Sequence, residues 1–322
     1  MTDGAGSADA TSGATESAVS EPIALPPSLL ARFERFTSYN SPYPAHDRGC
    51  AIDLYPESNA GISPVPGAVL DTRTVRCPDR TYAVGEDHLI LIDVADDWAD
   101  GRGAELTARV LHVDPAVEAG DRVEPGDPLG EMVRSGFFGQ WVDNHVHLGF
   151  RPAGANPYRA SGSLPLAPDV PVSGATWDGT GTVVETGETY ARLDAPAHPE
   201  PGHWATVASD EGTPLDGGLA HYSGGGVYGV DDPAAGRDLS LLGTPVGSVA
   251  PRAEGGVTAS ATADVTWNGV EIRANDERAT GLSLFASTGP FGAKLVFHEG
   301  HAFSVGDELS VEISPGESVR LG

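Results

Sequence analysis

Two neighbouring segments indicate the fold of this chain: Leu111-His-Val-Asp-Pro-Ala-Val-Glu-Ala-Gly-Asp-Arg-Val-Glu-Pro-Gly-Asp-Pro-Leu-Gly130 and Asn144-His-Val-His-Leu148. Each Gly-Asp pair in the first segment permits a hairpin reversal between short apolar runs. The second segment places His145 and His147 two positions apart, so on a strand both imidazoles point to the same face. Together the segments predict short antiparallel strands that present a pair of histidines, which suits a metal site.

Short apolar runs separated by Gly and Pro continue on both sides of these segments, as is typical of strands joined by turns. The runs before the Gly-Asp turns cover residues 51–55, 67–70, 72–75, 88–93 and 105–112, and those after them cover residues 182–185, 263–267, 281–285, 293–298 and 309–313. A short helix over residues 27–36, with Pro27 in its first turn, is the exception. Because almost no stretch keeps a helical period, the sequence predicts an all-β protein.

Changes in composition divide the chain into three parts. Residues 1–22 are small, polar and acidic, which predicts a disordered tail. A Pro-rich stretch over residues 164–171 has the composition of a linker. We therefore expect a first β domain over residues 23–166 and a β-rich accessory domain over residues 167–322.

The chain is strongly acidic: 46 Asp and Glu stand against 19 Lys and Arg, which gives a formal net charge of −27. Its only lysine is Lys294, and this balance resembles the halophilic proteins of organisms that keep concentrated salt in the cytoplasm. A hydrophobic fraction of 39% is enough for a sizeable core. Since the acidic surface repels polyanions, we expect no nucleic-acid partner.

The sequence also bears on location and redox state. The first residues contain no basic patch followed by an apolar run, and no stretch approaches ~20 apolar residues. We therefore expect a cytoplasmic protein without a membrane partner. The two cysteines, Cys50 and Cys77, are too few for a disulfide framework, so reduced thiols are expected. The sequence does not decide the oligomeric state.

An ordered series of motifs over residues 40–160 resembles the lysostaphin-type (LytM-like) zinc metallopeptidases. The series comprises His46, Asp53-Leu-Tyr-Pro56, Ser63-Pro-Val-Pro-Gly-Ala-Val69, Leu111-His112 with the two Gly-Asp turns, and His145-Val-His147. The resemblance implies the fold of that family, a barrel-sandwich built on a duplicated hybrid motif. In this chain the second β-rich domain would follow it.

The same resemblance implies roles for five residues. His46, Asp53 and His147 would be the ligands of Zn²⁺, and His112 and His145 would form an acid/base pair beside it. The residue types agree, because two imidazoles and one carboxylate leave zinc an open position, where the pKa of a bound water falls to roughly 7. The predicted function is a zinc-dependent peptidase or amidase that uses this water on a peptide or amide substrate. The alternative is a hybrid-motif binding or scaffold protein that has lost activity.

Two features depart from the family pattern. The family places its first His four residues before the Asp, whereas His46 lies seven residues before Asp53. Either the approach loop is longer or the ligand is missing, and Cys50 is then an alternative donor. Trp141 and Asp143 stand where the family has small residues along the substrate groove, which leaves the substrate undefined.

Other residues bear on alternative functions. Biotin- and lipoyl-carrier domains share the Gly-Asp turns but need a lysine at the hairpin tip. The only lysine of this chain, Lys294, lies outside the turns, so a carrier function is disfavoured. Phosphotransfer between two facing histidines stays an alternative. The glycine-rich loop over residues 217–226 is either a closely packed turn or, through His221 and Tyr222, the border of a ligand groove.

Overall fold

The computed structural model describes residues 22–46, 48–229, 236–250 and 262–321. Nearly all of the disordered tail predicted over residues 1–22 lies outside these ranges. The described part is built almost entirely of strands and forms two domains, which confirms the all-β prediction. Its α-helices are four residues long, and none is long and apolar enough to cross a membrane.

Short strands joined by tight turns make up both halves of the chain. The first half contains β1 (Ile23–Leu25), β2 (Arg35–Thr37), β3 (Ile52–Tyr55), β4 (Ala60–Ile62), β5 (Gly67–Arg76), β6 (Glu86–Val94), β7 (Leu106–Leu111), β8 (Val113–Pro115), β9 (Arg122–Val123), β10 (Pro128–Met132), β11 (Val146–Pro152) and β12 (Leu166–Pro168). The second half contains β13 (Ser173–Ala175), β14 (Thr180–Gly187), β15 (Tyr190–Leu193), β16 (Ala205–Val207), β17 (Leu215–Leu219), β18 (Gly224–Val227), β19 (Asp238–Leu241), β20 (Thr244–Val249), β21 (Ala263–Trp267), β22 (Val270–Ala274), β23 (Glu277–Ala279), β24 (Gly281–Leu284), β25 (Ala286–Ser287), β26 (Lys294–Val296) and β27 (Glu308–Pro315). The helical turns are α1 (Pro27–Leu30) and α2 (Trp98–Gly101), with a 3-10 turn at Gly103–Glu105.

The helix predicted over residues 27–36 is shorter than expected. Helix α1 ends at Leu30, and Arg35–Thr37 instead forms β2, which pairs with β3 and β25. Phe36 explains the difference, since its fully buried ring packs against Trp204. Burial of this side chain in a sheet outweighs the helical propensity of the segment.

The two Gly-Asp turns predicted from the sequence are present. Gly120 and Gly126 have φ of 101° and 96°, in the left-handed region that favours glycine. The carboxylates of Asp121 and Asp127 each accept a hydrogen bond from the backbone N–H three residues earlier, at 2.9 and 2.8 Å. These two turns connect the short strands β8, β9 and β10.

The two halves of the chain share a sheet. A ten-stranded sheet has the order β13-β16-β25-β2-β3-β11-β7-β6-β5-β9, so three of its strands come from the second half. A three-stranded sheet, β4-β10-β8, completes the first domain, and a twelve-stranded sheet, β19-β20-β21-β18-β17-β24-β26-β15-β14-β27-β22-β23, forms the second. Each domain has its own core, but hydrogen bonds of the ten-stranded sheet cross from one half to the other.

Strand β11 separates the core of the first domain from the face that carries the histidines. Val146, Leu148 and Phe150 alternate along it and are fully buried in that core. His147 lies on the opposite face, directly across from Asp53 of β3 in the antiparallel register. The apolar alternation of β11 therefore fixes the face on which His147 is presented.

Leu148→Ala is expected to lower the free energy of unfolding by about 3 kcal/mol, because it leaves a cavity in the core beneath β11. Denaturant unfolding followed by circular dichroism checks this value. The half-exposed Leu70 on β5 provides a matched control, and Leu70→Ala is expected to change stability by less than ~0.5 kcal/mol. Equal losses in the two variants would contradict the assignment of the buried face.

Candidate metal centre

The three residues predicted as metal ligands lie close together. Nδ1 of His147 is 2.9 Å from Oδ1 of Asp53, and Nε2 of His46 is 3.2 Å from His147 Nδ1 and 3.5 Å from Asp53 Oδ1. A tetrahedral zinc with bonds of about 2.0 Å separates its ligand atoms by about 3.3 Å. The group therefore has the right size to surround a metal ion.

The second domain helps to position His46. The Nδ1 of His46 donates a hydrogen bond to the carbonyl oxygen of Ser38 at 2.9 Å, which leaves its Nε2 to face Asp53 and His147. The backbone N–H of Ser38 in turn donates to the carboxylate of Asp216 at 2.7 Å. Asp216 lies fully buried on β17 and also accepts hydrogen bonds from the hydroxyls of Thr37 and Tyr228. Burial raises the pKa of Asp216 to about 6.

The loop before β3 brings His46 into the group despite its spacing of seven residues from Asp53. The loop closes through a backbone hydrogen bond of 2.7 Å from Cys50 to Ala45. A longer loop therefore accounts for the spacing and still places His46 beside Asp53 and His147. Cys50 stays outside the group, since its Sγ lies 3.5 Å from the carbonyl oxygen of Arg48. Burial raises the pKa of the Cys50 thiol to about 11, so it is protonated at neutral pH.

The protonation states of the group suit metal binding. Burial opposes the ionisation of Asp53, yet the surrounding His145, His46 and His147 hold its pKa well below the usual range. Burial lowers the pKa of His147 to about 3 and that of His145 to about 4. At neutral pH these residues are a carboxylate and neutral imidazoles, which are the forms that bind metals.

His112 lies beside this group and is held by a carboxylate that sequence analysis missed. Its Nδ1 is 2.6 Å from Oδ2 of Asp87, which is fully buried and also accepts a hydrogen bond of 2.6 Å from the Ser135 hydroxyl. Burial opposes the ionisation of Asp87, but His112 and Ser135 bring its pKa down to about 2. The pair fixes the ring of His112. An acidic residue at the start of the apolar strand β6 was the available sequence signal.

His145 joins the two parts of the site. Its Nε2 is 3.4 Å from Oδ1 of Asp53, and its Nδ1 donates to the backbone carbonyl oxygen of Asp143 at 2.9 Å. The centroid of its ring is 4.9 Å from that of His112 and 4.6 Å from that of Phe138. The structure thus gathers all five predicted site residues in one place.

A cavity of about 600 Å³ opens onto these residues. Its aromatic wall consists of Tyr43, Phe137, Phe138 and Tyr222. The glycine-rich loop therefore contributes Tyr222, whereas His221 is buried against Trp141. Neither Trp141 nor Asp143 lines the cavity, and Asp143 instead pairs with Arg35 and Lys294 at 2.5 and 3.3 Å.

The fold and the site define a two-domain β protein with a His-Asp-His group beside a cavity of about 600 Å³. Residues 24–168 match the family model described as "Domain of unknown function (DUF8155) N-terminal domain", and residues 173–314 match the corresponding C-terminal domain. The two matches together cover most of the chain. The chain belongs to the DUF8155 family.

One relative, from Halalkalibacterium halodurans, is named "Putative gamma-glutamylcyclotransferase". It is 30% identical to this chain over 107 residues, which cover 31% of this chain and 90% of the relative. Because this relative is named as a cyclotransferase, the predicted function as a zinc-dependent peptidase or amidase is wrong. The motifs behind that prediction specify three candidate metal-binding residues. Because such a set of residues can serve several kinds of reaction, the motifs do not decide which one occurs.

Asp87→Asn is expected to reduce the amount of unfolding free energy that the protein loses when the pH is lowered. The pKa of Asp87 in the folded chain, about 2, lies below its ordinary value of 3.8. Its contribution is therefore present above pH ~4 and is lost as the pH falls towards ~2, by on the order of 2 kcal/mol. Unfolding free energies measured between pH 2 and 7 check this difference. Asp93→Asn, at an exposed position of the same strand, is the control. Identical pH profiles for wild type and Asp87→Asn would refute the pairing with His112.

Proposed function

We propose that His46, Asp53 and His147 bind a divalent transition-metal ion, for which zinc is the best fit. The observation that carries this proposal is the spacing of the three donor atoms, 2.9 to 3.5 Å apart. Two imidazole nitrogens and one carboxylate oxygen form a donor set that zinc accepts and that leaves one position open. The hydrogen bond from His46 to a backbone carbonyl is of the kind that orients metal-bound histidines.

The purified protein is expected to contain about one zinc ion per chain, and His147→Ala is expected to lose it, because one of three protein ligands is gone. Elemental analysis by mass spectrometry measures the metal content. His203→Ala changes an exposed histidine outside the group and should keep the zinc, as should Cys50→Ala. A wild type that takes up no zinc, or a His147→Ala variant that retains it, would be evidence against the site.

We further propose that the cavity serves a transfer reaction on a small amide substrate. The similarity to a protein named as a gamma-glutamylcyclotransferase supports this class of reaction. In such a transfer, the substrate's own amine attacks its amide carbonyl. A new C–N bond closes a ring, the old C–N bond breaks, and the departing amine takes up a proton. A bound metal would polarise the carbonyl under attack.

We assign the proton transfer to His112. The 2.6 Å hydrogen bond that Nδ1 of His112 donates to the carboxylate of Asp87 orients the ring and would stabilise the imidazolium formed during proton transfer. His112 can therefore accept the proton of the attacking amine and return it to the departing amine. His145, whose ring lies 4.9 Å away, provides a hydrogen-bonding group beside the same position.

The metal-loaded chain is expected to convert a γ-glutamyl anilide to 5-oxoproline and aniline without releasing glutamate. His112→Gln is expected to lower kcat ~100-fold with little change in KM, because it removes the proton acceptor and leaves the cavity intact. Quantification of 5-oxoproline by mass spectrometry checks both results. Asp93→Asn, on the exposed face of β6, should leave the rate unchanged. Release of glutamate, or no product at all, would reject the transfer reaction.

A further inference from the structure

Arg109 is a buried cation on the cavity wall that has no carboxylate partner among the described residues. It is 7% exposed, lies on β7 and lines the cavity. Its Nε has no hydrogen-bond partner in the described part of the chain. Burial and the positive charge of Arg151 lower the pKa of Arg109 to about 10, so the guanidinium stays protonated at neutral pH. Because an unpaired buried charge is unfavourable, this position indicates an anionic partner from outside the chain.

Arg151, its neighbour on β11, has a different role. Its guanidinium donates hydrogen bonds to the carbonyl oxygens of Arg159 and Ala160, at 2.8 and 3.3 Å, and to the hydroxyl of Ser163. These contacts hold a segment of the cavity wall. Since Arg151 pairs with no carboxylate among the described residues, its charge adds to the positive potential around Arg109.

The register of the sheet places Arg109 at a defined distance from the proposed metal site. Leu111 of β7 lies opposite His147, and Arg109 lies opposite Gly149. At ~3.4 Å per residue, Arg109 is anchored ~7 Å from His147 along the strands. A small molecule that spans this distance could contact a metal bound at His147 with one end and Arg109 with the other.

We propose that Arg109 binds an oxyanion of the cavity's ligand, either a carboxylate or a phosphate group. This inference rests on the proposed function and specifies the substrate of the same site. A guanidinium offers parallel N–H donors that match two oxygens of such a group. The exposed Arg48 adds a second cation at the cavity wall. Because the chain carries a net charge of −27, these cations supply the attraction that the surface does not.

The test uses two probes, succinate and inorganic phosphate, on the full chain after removal of metal with EDTA. Isothermal titration calorimetry at constant ionic strength measures their affinities. At least one probe is expected to bind the wild type, and Arg109→Gln is expected to weaken it ~10-fold or more. Arg122→Gln removes the same charge from an exposed position on β9 and should bind as the wild type does. The tighter probe distinguishes a carboxylate from a phosphate. Failure of both probes to bind the wild type, or equal affinity in Arg109→Gln, would overturn the inference.

Two further variants separate this inference from a folding defect and from the metal proposal. Arg109→Lys keeps the charge but loses the paired donors, so intermediate affinity is expected. Arg109→Gln is expected to keep its zinc, whereas His147→Ala is expected to lose zinc and still bind the probe. Loss of zinc from Arg109→Gln would make Arg109 a structural residue and overturn the inference. Anion binding by a chain that takes up no zinc would reject the metal proposal alone.

Discussion

The antiparallel pairing of β3 with β11 is the constraint on which the site depends. It sets Asp53 directly opposite His147, while Leu54, Val146 and Leu148 enter the core from the other face. A slip of one residue would turn every side chain of a strand to the opposite face. The apolar residues would then meet the cavity and the polar pair would enter the core. The hydrophobic effect, acting on one face, therefore fixes the relative positions of Asp53 and His147 on the other.

The same pairing produces a cavity whose charge opposes that of the surface. The chain as a whole carries −27, yet Arg48 and Arg109 line the cavity, and Arg151 is hydrogen-bonded to a segment of its wall. In concentrated salt the field of the exposed carboxylates extends only ~3 Å, whereas buried charges are screened much less. Under such conditions a ligand inside the cavity would interact chiefly with the buried cations, Arg109 and Arg151.

The strands and the grouping of His46, Asp53 and His147 could be predicted from the sequence because both leave local signals. The spacing of two residues between His145 and His147 predicted that both lie on one face. Asp53 stood out as a carboxylate between apolar residues of a strand. Arg109 leaves no such signal, because an arginine in a strand is normally expected to face solvent. Only the tertiary structure shows that its side of β7 lines a cavity. The pairing of β2 with β25 is equally hidden, because two very short strands about 250 residues apart in the chain carry no register information. The prediction of a peptidase or amidase was wrong for a related reason. The motifs specify the candidate metal ligands but not the other residues around them.

The second domain has a part in the site that its place in the sequence does not suggest. Asp216 accepts a hydrogen bond from the backbone N–H of Ser38, and the carbonyl oxygen of Ser38 accepts one from His46. His46 comes from a loop, so it lacks the rigid support that β3 and β11 give to Asp53 and His147. A loop ligand needs such support to keep its nitrogen within bonding distance of a metal. Because Asp216 is fully buried and also binds two hydroxyl groups, it holds Ser38 in place. The position of His46 is thus set by a residue of the second domain, so the proposed metal site depends on both halves of the chain.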